Sequence, residues 1–418
     1  MSTPRLLTIM GSGETSPTMV TTHKDLFTRL GPGAVSALVI DTPYGFQENA
    51  DDLAARAVEY FRESVGREIG VAGFRARPDD TSFEFESMLA RIKEARYLFA
   101  GPGSPTYSLR QWRGTPLPDL LREKLSSGGG VTFASAAALT LGVATVPVYE
   151  IYKCGMDPWW EDGLDLLSAI GLPVAVIPHY NNAEGGNHDT RFCYLGERRL
   201  AMLEKELPDG AFVLGIDEHT GLVLDLDADT AMVVGNGVVT VRRNGSSVEY
   251  PSGTIMPTDR LRFLDSSAVA VVAAPVADVV VDEVADGPSL SLGDDTVRCQ
   301  KAFDAAMAAG DASAATAAVL ELEAALVSWS RDTLQSDQAD RARAAVRSMI
   351  VRLGEAAHGG LRDPREAVGP YVEALLAVRA AVRAEKNYAM SDLIRDRLVD
   401  AGVEVRDTPA GVVWELAG

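Results

Sequence analysis

The sequence predicts an α/β domain with a mostly parallel sheet and flanking helices, followed by a helical bundle that ends in a small β-hairpin. Three observations lead to this prediction. Short apolar runs alternate with helical stretches in the first part of the chain, as in parallel sheets covered by helices. Alanine-rich segments with helical apolar spacing follow residue 297. The final stretch, from Gly402 to Leu416, contains two strand-like runs around a turn at Thr408 to Gly411.

Composition sets limits on the class of protein. A chain of 418 residues with 46% hydrophobic residues is long enough for two or three domains with filled cores. A net charge of −20 argues against a whole-chain polyanion binder, because attraction to phosphate backbones needs clustered positive charge. Most of the excess negative charge precedes Lys301, so the C-terminal part can still carry a local basic face.

Cysteine usage and hydropathy indicate the compartment. The three cysteines show no paired spacing, so we expect no disulfide framework, no zinc site and no cofactor. No apolar run approaches the roughly 18 residues of a membrane span, and the apolar stretch at the N-terminus is too short for a signal peptide. We therefore predict a cytoplasmic protein with no membrane contact, and we expect a homo-oligomer.

The first domain is predicted over residues 1–262. Strands are predicted at Arg5–Met10, Ala37–Asp41, Gly70–Phe74 and Arg96–Gly101, with helices at about 49–65 and 83–95. Strand-like runs between residues 211 and 241 surround a Gly-Asn-Gly turn, which is a strong hairpin signal. These runs predict an antiparallel edge that closes the domain near residue 250.

The stretch from residue 126 to residue 142 (SSGGGVTFASAAALTLG) predicts a strand, a tight turn and a helix, with Ser135 at the turn. A serine at such a corner exposes its hydroxyl above the sheet, and the N–H of Ala136 can face the same space as an oxyanion donor. The alternative is a buried corner at which Ser135 only caps the helix.

A second stretch, VAVIPHYNN, predicts a buried strand that ends at Pro178 and places His179 at a strand end. A histidine on a neighbouring strand end can serve as the base that activates a serine nucleophile. Glu150 is the only carboxylate between Ser135 and Met156, and it could orient the imidazole. Asp157 is the alternative acid.

Together and in this order, these residues resemble the dipeptidase E and cyanophycinase family of serine peptidases, whose fold is related to class I glutamine amidotransferases. The resemblance covers about residues 5–255, includes the string Pro-His-Tyr-x-Asn around His179, and extends to GIDEHTGLVL from Gly215. It implies a Ser135, His179 and Glu150 triad that cuts a peptide or amide bond in a small substrate. The stretch LFAGPGSPTYSL stands where the family has a glycine-rich loop, which implies Gly103 as a second oxyanion donor.

The chain departs from that family at the turn itself, where Phe133 and Ala137 replace two glycines. Glycines at such a corner relieve crowding and tolerate unusual dihedral angles. A catalytically degenerate, amidotransferase-like binding protein is therefore the alternative to an enzyme.

Three residues are predicted to bind substrate. Asn182 and Arg191 lie on a polar loop after His179, which in a family member would help to hold the substrate; the alternative is a solvated loop. Trp159, beside Pro158, could line a substrate pocket or pack a helix against the sheet. The histidines are too irregularly spaced to indicate a metal site.

A linker is predicted over residues 263–297, with short strands at Val269–Val272 and Val276–Val281, followed by a helical domain over residues 298–418. Helices are predicted at residues 300–309, 312–330, 337–353 and 370–400.

The last predicted helix and the hairpin resemble the C-terminal, anticodon-side region of bacterial cysteinyl-tRNA synthetases. The residues that match that region are Arg379, Arg383, Lys386, Tyr388, Ala389, Asp392, Ile394, Arg395, Asp396, Leu398, Gly402, Asp407, Thr408, Gly411 and Trp414. No signature string of the synthetase catalytic half and none of its zinc-binding cysteines occurs, so we do not expect aminoacylation.

The resemblance implies contact with tRNA. Arg379, Arg383, Lys386 and Arg395 are the candidates for phosphate contacts, because guanidinium and ammonium groups suit phosphate. The alternative is that these charges lie on a solvated helix face among acidic residues.

Overall fold

The computed structural model describes residues 3–78, 82–184, 188–262, 291–332, 337–359, 364–408 and 411–416. The chain forms two compact units. The first contains Met1–Leu290 and Val327–Ser336, and the second contains Ser291–Leu326 and Asp337–Gly418. The strands predicted at residues 269–272 and 276–281 lie outside the described residues. The assignment of Val327–Ser336 to the first unit differs from the predicted division, which placed the whole stretch after residue 298 in the helical domain.

The first unit contains two sheets with helices around them. Its strands are β1 (Arg5–Met10), β2 (Ala37–Val39), β3 (Gly70–Val71), β4 (Tyr97–Ala100), β5 (Gly129–Ala134), β6 (Ala144–Thr145), β7 (Glu161–Asp162), β8 (Val174–Ile177), β9 (Phe212–Ile216), β10 (Thr220–Asp225), β11 (Thr230–Gly235), β12 (Val238–Arg243), β13 (Ser246–Pro251) and β14 (Ile255–Pro257). Its α-helices are α1 (Val20–Leu30), α2 (Ala50–Tyr60), α3 (Phe83–Glu94), α4 (Pro105–Trp112), α5 (Leu117–Ser127), α6 (Ser135–Leu139), α7 (Val148–Tyr152) and α8 (Gly196–Leu203).

The larger sheet has the strand order β14-β11-β10-β1-β5-β4-β2-β3, and the smaller has the order β13-β12-β9-β8-β6-β7. Strands β1, β5, β4, β2 and β3 run parallel to one another, as do β6, β8 and β9, whereas β7 pairs antiparallel with β6. The antiparallel runs after residue 211 are divided: β10, β11 and β14 extend the larger sheet, whereas β12 and β13 extend the smaller one. The prediction of an α/β domain with flanking helices is confirmed, although its strands form two mixed sheets and not the one mostly parallel sheet we expected.

The centre of the larger sheet consists of β1 and β5, which are almost fully buried. Strand β5 begins with glycines because a side chain at that point would clash with α5. Gly129 has a φ of +137°, and a Cβ at that position would lie 2.4 Å from the side chain of Lys124. The strand can therefore pass close to α5 only if it begins with glycine.

The second unit is helical and ends in a hairpin, as predicted. Its elements are α9 (Leu292–Ala308), α10 (Ala312–Trp329), α11 (Gln338–Gly359), α12 (Pro364–Ala384), α13 (Tyr388–Asp400), β15 (Val403–Thr408) and β16 (Gly411–Leu416). The predicted helix over 370–400 is wrong, because two helices cover this stretch. Lys386 adopts a φ of +60°, and the side chain of Asn387 caps α13 by accepting a hydrogen bond from the N–H of Met390.

Helix α10 is the one described helix whose length and composition would suit a membrane span, with 18 residues and a mean hydropathy of 1.2. Buried core helices of water-soluble proteins can have the same length and hydropathy, so these two properties do not distinguish a membrane span from a core helix. The absence of membrane contact stays a prediction.

Candidate active site

Ser135 occupies a strained corner between β5 and α6. Its φ is +49°, a left-handed conformation that costs a residue with a Cβ about 1–3 kcal/mol. The Oγ of Ser135 lies 2.9 Å from the Nε2 of His179. Such a corner is what lifts a serine hydroxyl above a sheet.

The two residues that replace the expected glycines do not prevent this geometry. Phe133 is fully buried, and its ring packs against Trp112 with the centroids 5.8 Å apart. Ala137 is also fully buried, and its N–H donates to the carbonyl of Gly101 at 3.2 Å. The larger side chains fit because they pack into the hydrophobic core.

His179 follows β8 in the smaller sheet, so the two sheets contribute one member each to the Ser-His pair. The backbone of His179 has a φ of +47°, and its carbonyl accepts hydrogen bonds from the N–H groups of Asn182 and Cys193 at 3.1 and 3.2 Å. These bonds hold the tight turn that brings the imidazole to the serine.

The acid beside His179 is Glu218, not Glu150. The Nδ1 of His179 lies 3.0 Å from the Oε1 of Glu218. Glu150 instead accepts a hydrogen bond from the Oγ1 of Thr106 at 2.7 Å, and Asp157 is exposed. The prediction of Glu150 is therefore corrected, because proximity to the serine in sequence is not proximity to the imidazole in space.

Glu218 lies on the turn between β9 and β10, within the stretch GIDEHTGLVL whose resemblance to a family strand was noted. Its N–H donates to the Oδ1 of Asn181 at 2.8 Å, and its Oε1 accepts from the Nδ2 of Asn182 at 3.2 Å. Burial alone would raise the pKa of Glu218, but the hydrogen bond and electrostatic interaction with His179, together with the hydrogen bond from Asn182, lower it below its ordinary value. Glu218 is therefore a carboxylate at neutral pH.

Gly103 and Ala136, the predicted oxyanion donors, line the same cavity as Ser135 and His179. Gly103 has a φ of +140°, and a Cβ there would lie 1.9 Å from the carbonyl oxygen of Pro43. Only glycine allows this close approach, which fixes the loop before α4 against the cavity.

The cavity beside Ser135 has a volume of about 520 Å³, within the range of small-molecule sites. Apolar and aromatic side chains form part of its wall: Val39, Phe99, Leu139, Val148, Tyr149 and Tyr152. Its charged wall residues are Glu14, Arg56, Lys153, Glu184, Arg331 and Asp332. Cys193 also lines it, but burial raises the pKa of that thiol to about 12 and keeps it protonated.

The predicted substrate-binding residues lie elsewhere in the unit. Asn182 is fully buried and holds Glu218. Arg191 forms two hydrogen bonds with Asp189, both 2.9 Å long. Trp159 is half-buried against an apolar cluster. None of the three is among the described residues that line the cavity, and their contact with substrate stays a prediction.

The four residues predicted to contact phosphate differ in their solvent exposure and in their ion pairs. Arg379 is 2% exposed, and its two terminal nitrogens donate to Asp407 at 2.7 and 2.8 Å, so it joins α12 to the hairpin and is corrected as a phosphate contact. Arg383 shares that carboxylate at 3.1 Å but is exposed. Arg395 lies 3.2 Å from Asp396. Lys386 is exposed.

Comparison with known proteins finds one family in the C-terminal part of the chain. The family described as "Cysteinyl-tRNA ligase anticodon binding domain" matches residues 365–414. Cysteine–tRNA ligases of Nitratidesulfovibrio vulgaris and Beutenbergia cavernae are 56% and 46% identical over 45 and 66 residues, or 11% and 16% of this chain. The matches cover 9% and 13% of those ligases, so the chain spans about a tenth of the curated relatives' length. The predicted resemblance of the C-terminal stretch is confirmed.

Two solved structures resemble the first part of the chain. A peptidase from an acI-B1 Actinobacterium is 24% identical with a TM-score of 0.49, and the match covers 61% of this chain and 97% of that one. A putative peptidase E from Listeria monocytogenes is 14% identical with a TM-score of 0.33, covering 59% and 98%.

Proposed function

We propose that the first unit is a serine hydrolase that cuts a peptide or amide bond in a small substrate. One observation carries the proposal: the hydrogen-bonded series from Ser135 Oγ to His179 Nε2 at 2.9 Å, and from His179 Nδ1 to Glu218 Oε1 at 3.0 Å. A hydroxyl, an imidazole and a carboxylate in this order form a nucleophile, its base and the group that orients the base.

In the proposed reaction, the Oγ of Ser135 attacks the substrate carbonyl carbon while the Nε2 of His179 takes its proton. The negative oxygen of the tetrahedral intermediate accepts hydrogen bonds from the N–H groups of Gly103 and Ala136. Glu218 stabilises the imidazolium, which then gives its proton to the leaving amine. Water repeats the attack on the acyl-enzyme and releases the acid.

The alternative of a degenerate binding protein depended on the loss of the turn glycines. The positive φ of Ser135 and its short distance to His179 argue against that alternative, because a serine that only caps a helix has an extended backbone and needs no base. The geometry thus favours a competent corner built with Phe133 and Ala137.

Covalent labelling tests the proposal. The protein is incubated with a fluorophosphonate, and the modified peptide is located by mass spectrometry. We expect labelling at Ser135 that is lost in Ser135→Ala and kept in Ser126→Ala, a matched change at an exposed serine in α5. Folded wild-type protein that takes no label, or Ser135→Ala protein labelled as fast as wild type, would contradict the proposal.

We propose as a second function that the C-terminal unit contacts tRNA. The specific observation is the match of residues 365–414 to the anticodon binding domain. Arg383 at the end of α12 and Lys386 in the break before α13 are both exposed, so they can reach phosphates. The second unit would then bring an RNA-linked substrate or partner to the protein.

A gel-shift titration with cysteine tRNA tests this proposal. The combined change Arg383→Glu and Lys386→Glu should weaken binding at least tenfold and flatten its salt dependence, because each phosphate contact releases counterions. Lys301→Glu, at an exposed lysine of α9, is the charge-change control and should matter less. Binding that is absent, or that does not change with salt, would exclude a phosphate-contacting face.

A further inference from the structure

The segment from Val327 to Asp332 belongs to the first unit, although it follows that unit's last strand by some seventy residues. The Oγ1 of Thr15 donates to the carbonyl of Arg331. The guanidinium of Arg331 pairs with Glu63 and lies 3.6 Å from Glu59. Several independent contacts thus hold the segment on the first unit.

The same segment reaches the cavity that contains Ser135. Arg331 and Asp332 are among its wall residues. The Oδ2 of Asp332 lies 2.9 Å from the Nε2 of His219, and the two side chains are only 12% and 10% exposed. The ring of Trp329, itself buried, lies over the ring of His219 with the centroids 5.5 Å apart.

His219 is the residue directly after Glu218, so its placement fixes that of the acid. Its backbone has a φ of +52°, and its ring lies so close to Gly13 that a Cβ there would approach to 2.3 Å. Burial lowers the pKa of His219, so the ring is neutral, and its Nε2 lies in direct contact with the Asp332 carboxylate. The ring is therefore clamped between the loop after β1 on one side and Trp329 with Asp332 on the other.

We propose that Asp332 is a positioning residue for the triad: through His219 it holds the turn that carries Glu218 against His179. The inference rests on the proposed hydrolase function and adds to it that a segment far along the chain completes the catalytic site. Asn181 and Asn182 tether Glu218 from the opposite side, so loss of Asp332 loosens the turn without releasing it.

The test uses the full chain and measures the rate of fluorophosphonate labelling at Ser135, together with kcat and KM on any amide substrate found. In Asp332→Ala we expect the labelling rate and kcat to fall about 10- to 100-fold, because a displacement of about 1 Å can cost 100-fold. KM should change less than about threefold. Asp332→Asn keeps the size and shape of the side chain that contacts His219 and should recover most of the rate.

A double-mutant cycle separates positioning from general damage to the fold. If Asp332 acts through His219, then His219→Phe with Asp332→Ala should be no slower than the slower single variant. Asp337→Ala changes an exposed aspartate five positions further on, and it should label like wild type. Circular dichroism and unfolding midpoints establish that each variant is folded.

The outcomes distinguish the inference from the function on which it rests. Normal labelling of wild type and of Asp332→Ala would overturn the positioning role and leave the hydrolase intact. Additive losses in the double variant would overturn it as well, since they would mean separate actions. No labelling of wild type would remove the hydrolase proposal and this inference with it.

Discussion

Replacing Glu218 with Gln tests which carboxylate serves the triad. The change preserves shape but removes the charge that lies 3.0 Å from the Nδ1 of His179. A glutamine can present its NH2 group to Nδ1, which favours the tautomer with the proton on Nε2, where it cannot accept the proton of Ser135.

The expected loss is large. The same exchange of acid for amide in a serine protease triad lowers kcat about 10⁴-fold, which corresponds to about 5 kcal/mol of transition-state stabilisation. We therefore expect kcat and the labelling rate of Ser135 to fall about 10³- to 10⁴-fold in Glu218→Gln. KM should change little, because Glu218 is hydrogen-bonded to His179 and Asn182 and is not a wall residue of the cavity.

Glu150→Gln is the matched comparison, since it keeps an oxygen that can accept the hydrogen bond of Thr106. It should reduce the labelling rate less than about fivefold. The rate is measured at pH 7 by quenching the labelling reaction at set times and analysing the intact protein by mass spectrometry. If the order of the two variants is reversed, with Glu150→Gln the slower, then the triad drawn from the geometry is incorrect.

Three further results are expected. Gly103→Ala should lower kcat about 100- to 1,000-fold by displacing an oxyanion donor. Gly33→Ala, whose Cβ would meet open space, should keep full activity, and equal activity of the two variants in a steady-state assay would argue against the donor role. His23 is fully buried and its pKa is lowered by burial from 6.5 to about 4, so the free energy of unfolding should decrease by about 3 kcal/mol as the pH falls from 6.5 to 4, because only the unfolded chain takes up the proton in that window. Urea titrations at several pH values measure this, and the His23→Gln variant should lack that part of the slope. Arg379→Gln should destabilise the C-terminal unit by about 1–3 kcal/mol, because it removes both hydrogen bonds to the hairpin, whereas the exposed Arg383→Gln should shift the unfolding midpoint little; equal shifts would mean that the buried pair has no special role.

The positions of the strands in the first unit could be predicted from the sequence better than the way these strands pair into sheets. Apolar runs at β1, β4, β5 and β8 and the serine corner are local signals, because each depends on neighbouring residues. The division of later strands between two sheets depends on which buried surfaces meet, and alternation of apolar residues carries no such information. The helix break at Lys386 was missed because a capping asparagine and one left-handed residue interrupt a pattern that stays apolar on both sides.

The site was predicted in part for the same reason. Ser135 and His179 each follow a buried strand, so their positions could be read from pattern, and the structure brings them together. Glu218 lies on a turn after the histidine, and choosing the acid by its position before the histidine led to Glu150. The approach of Asp332 to His219 joins positions separated by more than a hundred residues, which no local pattern reveals.

Ser135 and His179 follow strands of separate sheets, and helix α6, which begins at Ser135, packs against β8 of the smaller sheet. The distance between the Oγ of Ser135 and the Nε2 of His179 therefore depends on how the two sheets pack against each other, and not on either sheet alone. Core residues of β8, such as the buried Ile177, can tune reactivity without touching any substrate atom. Evolution or engineering could then adjust the reaction rate of such a protein by changing apolar core side chains, while its reactive groups stay unchanged.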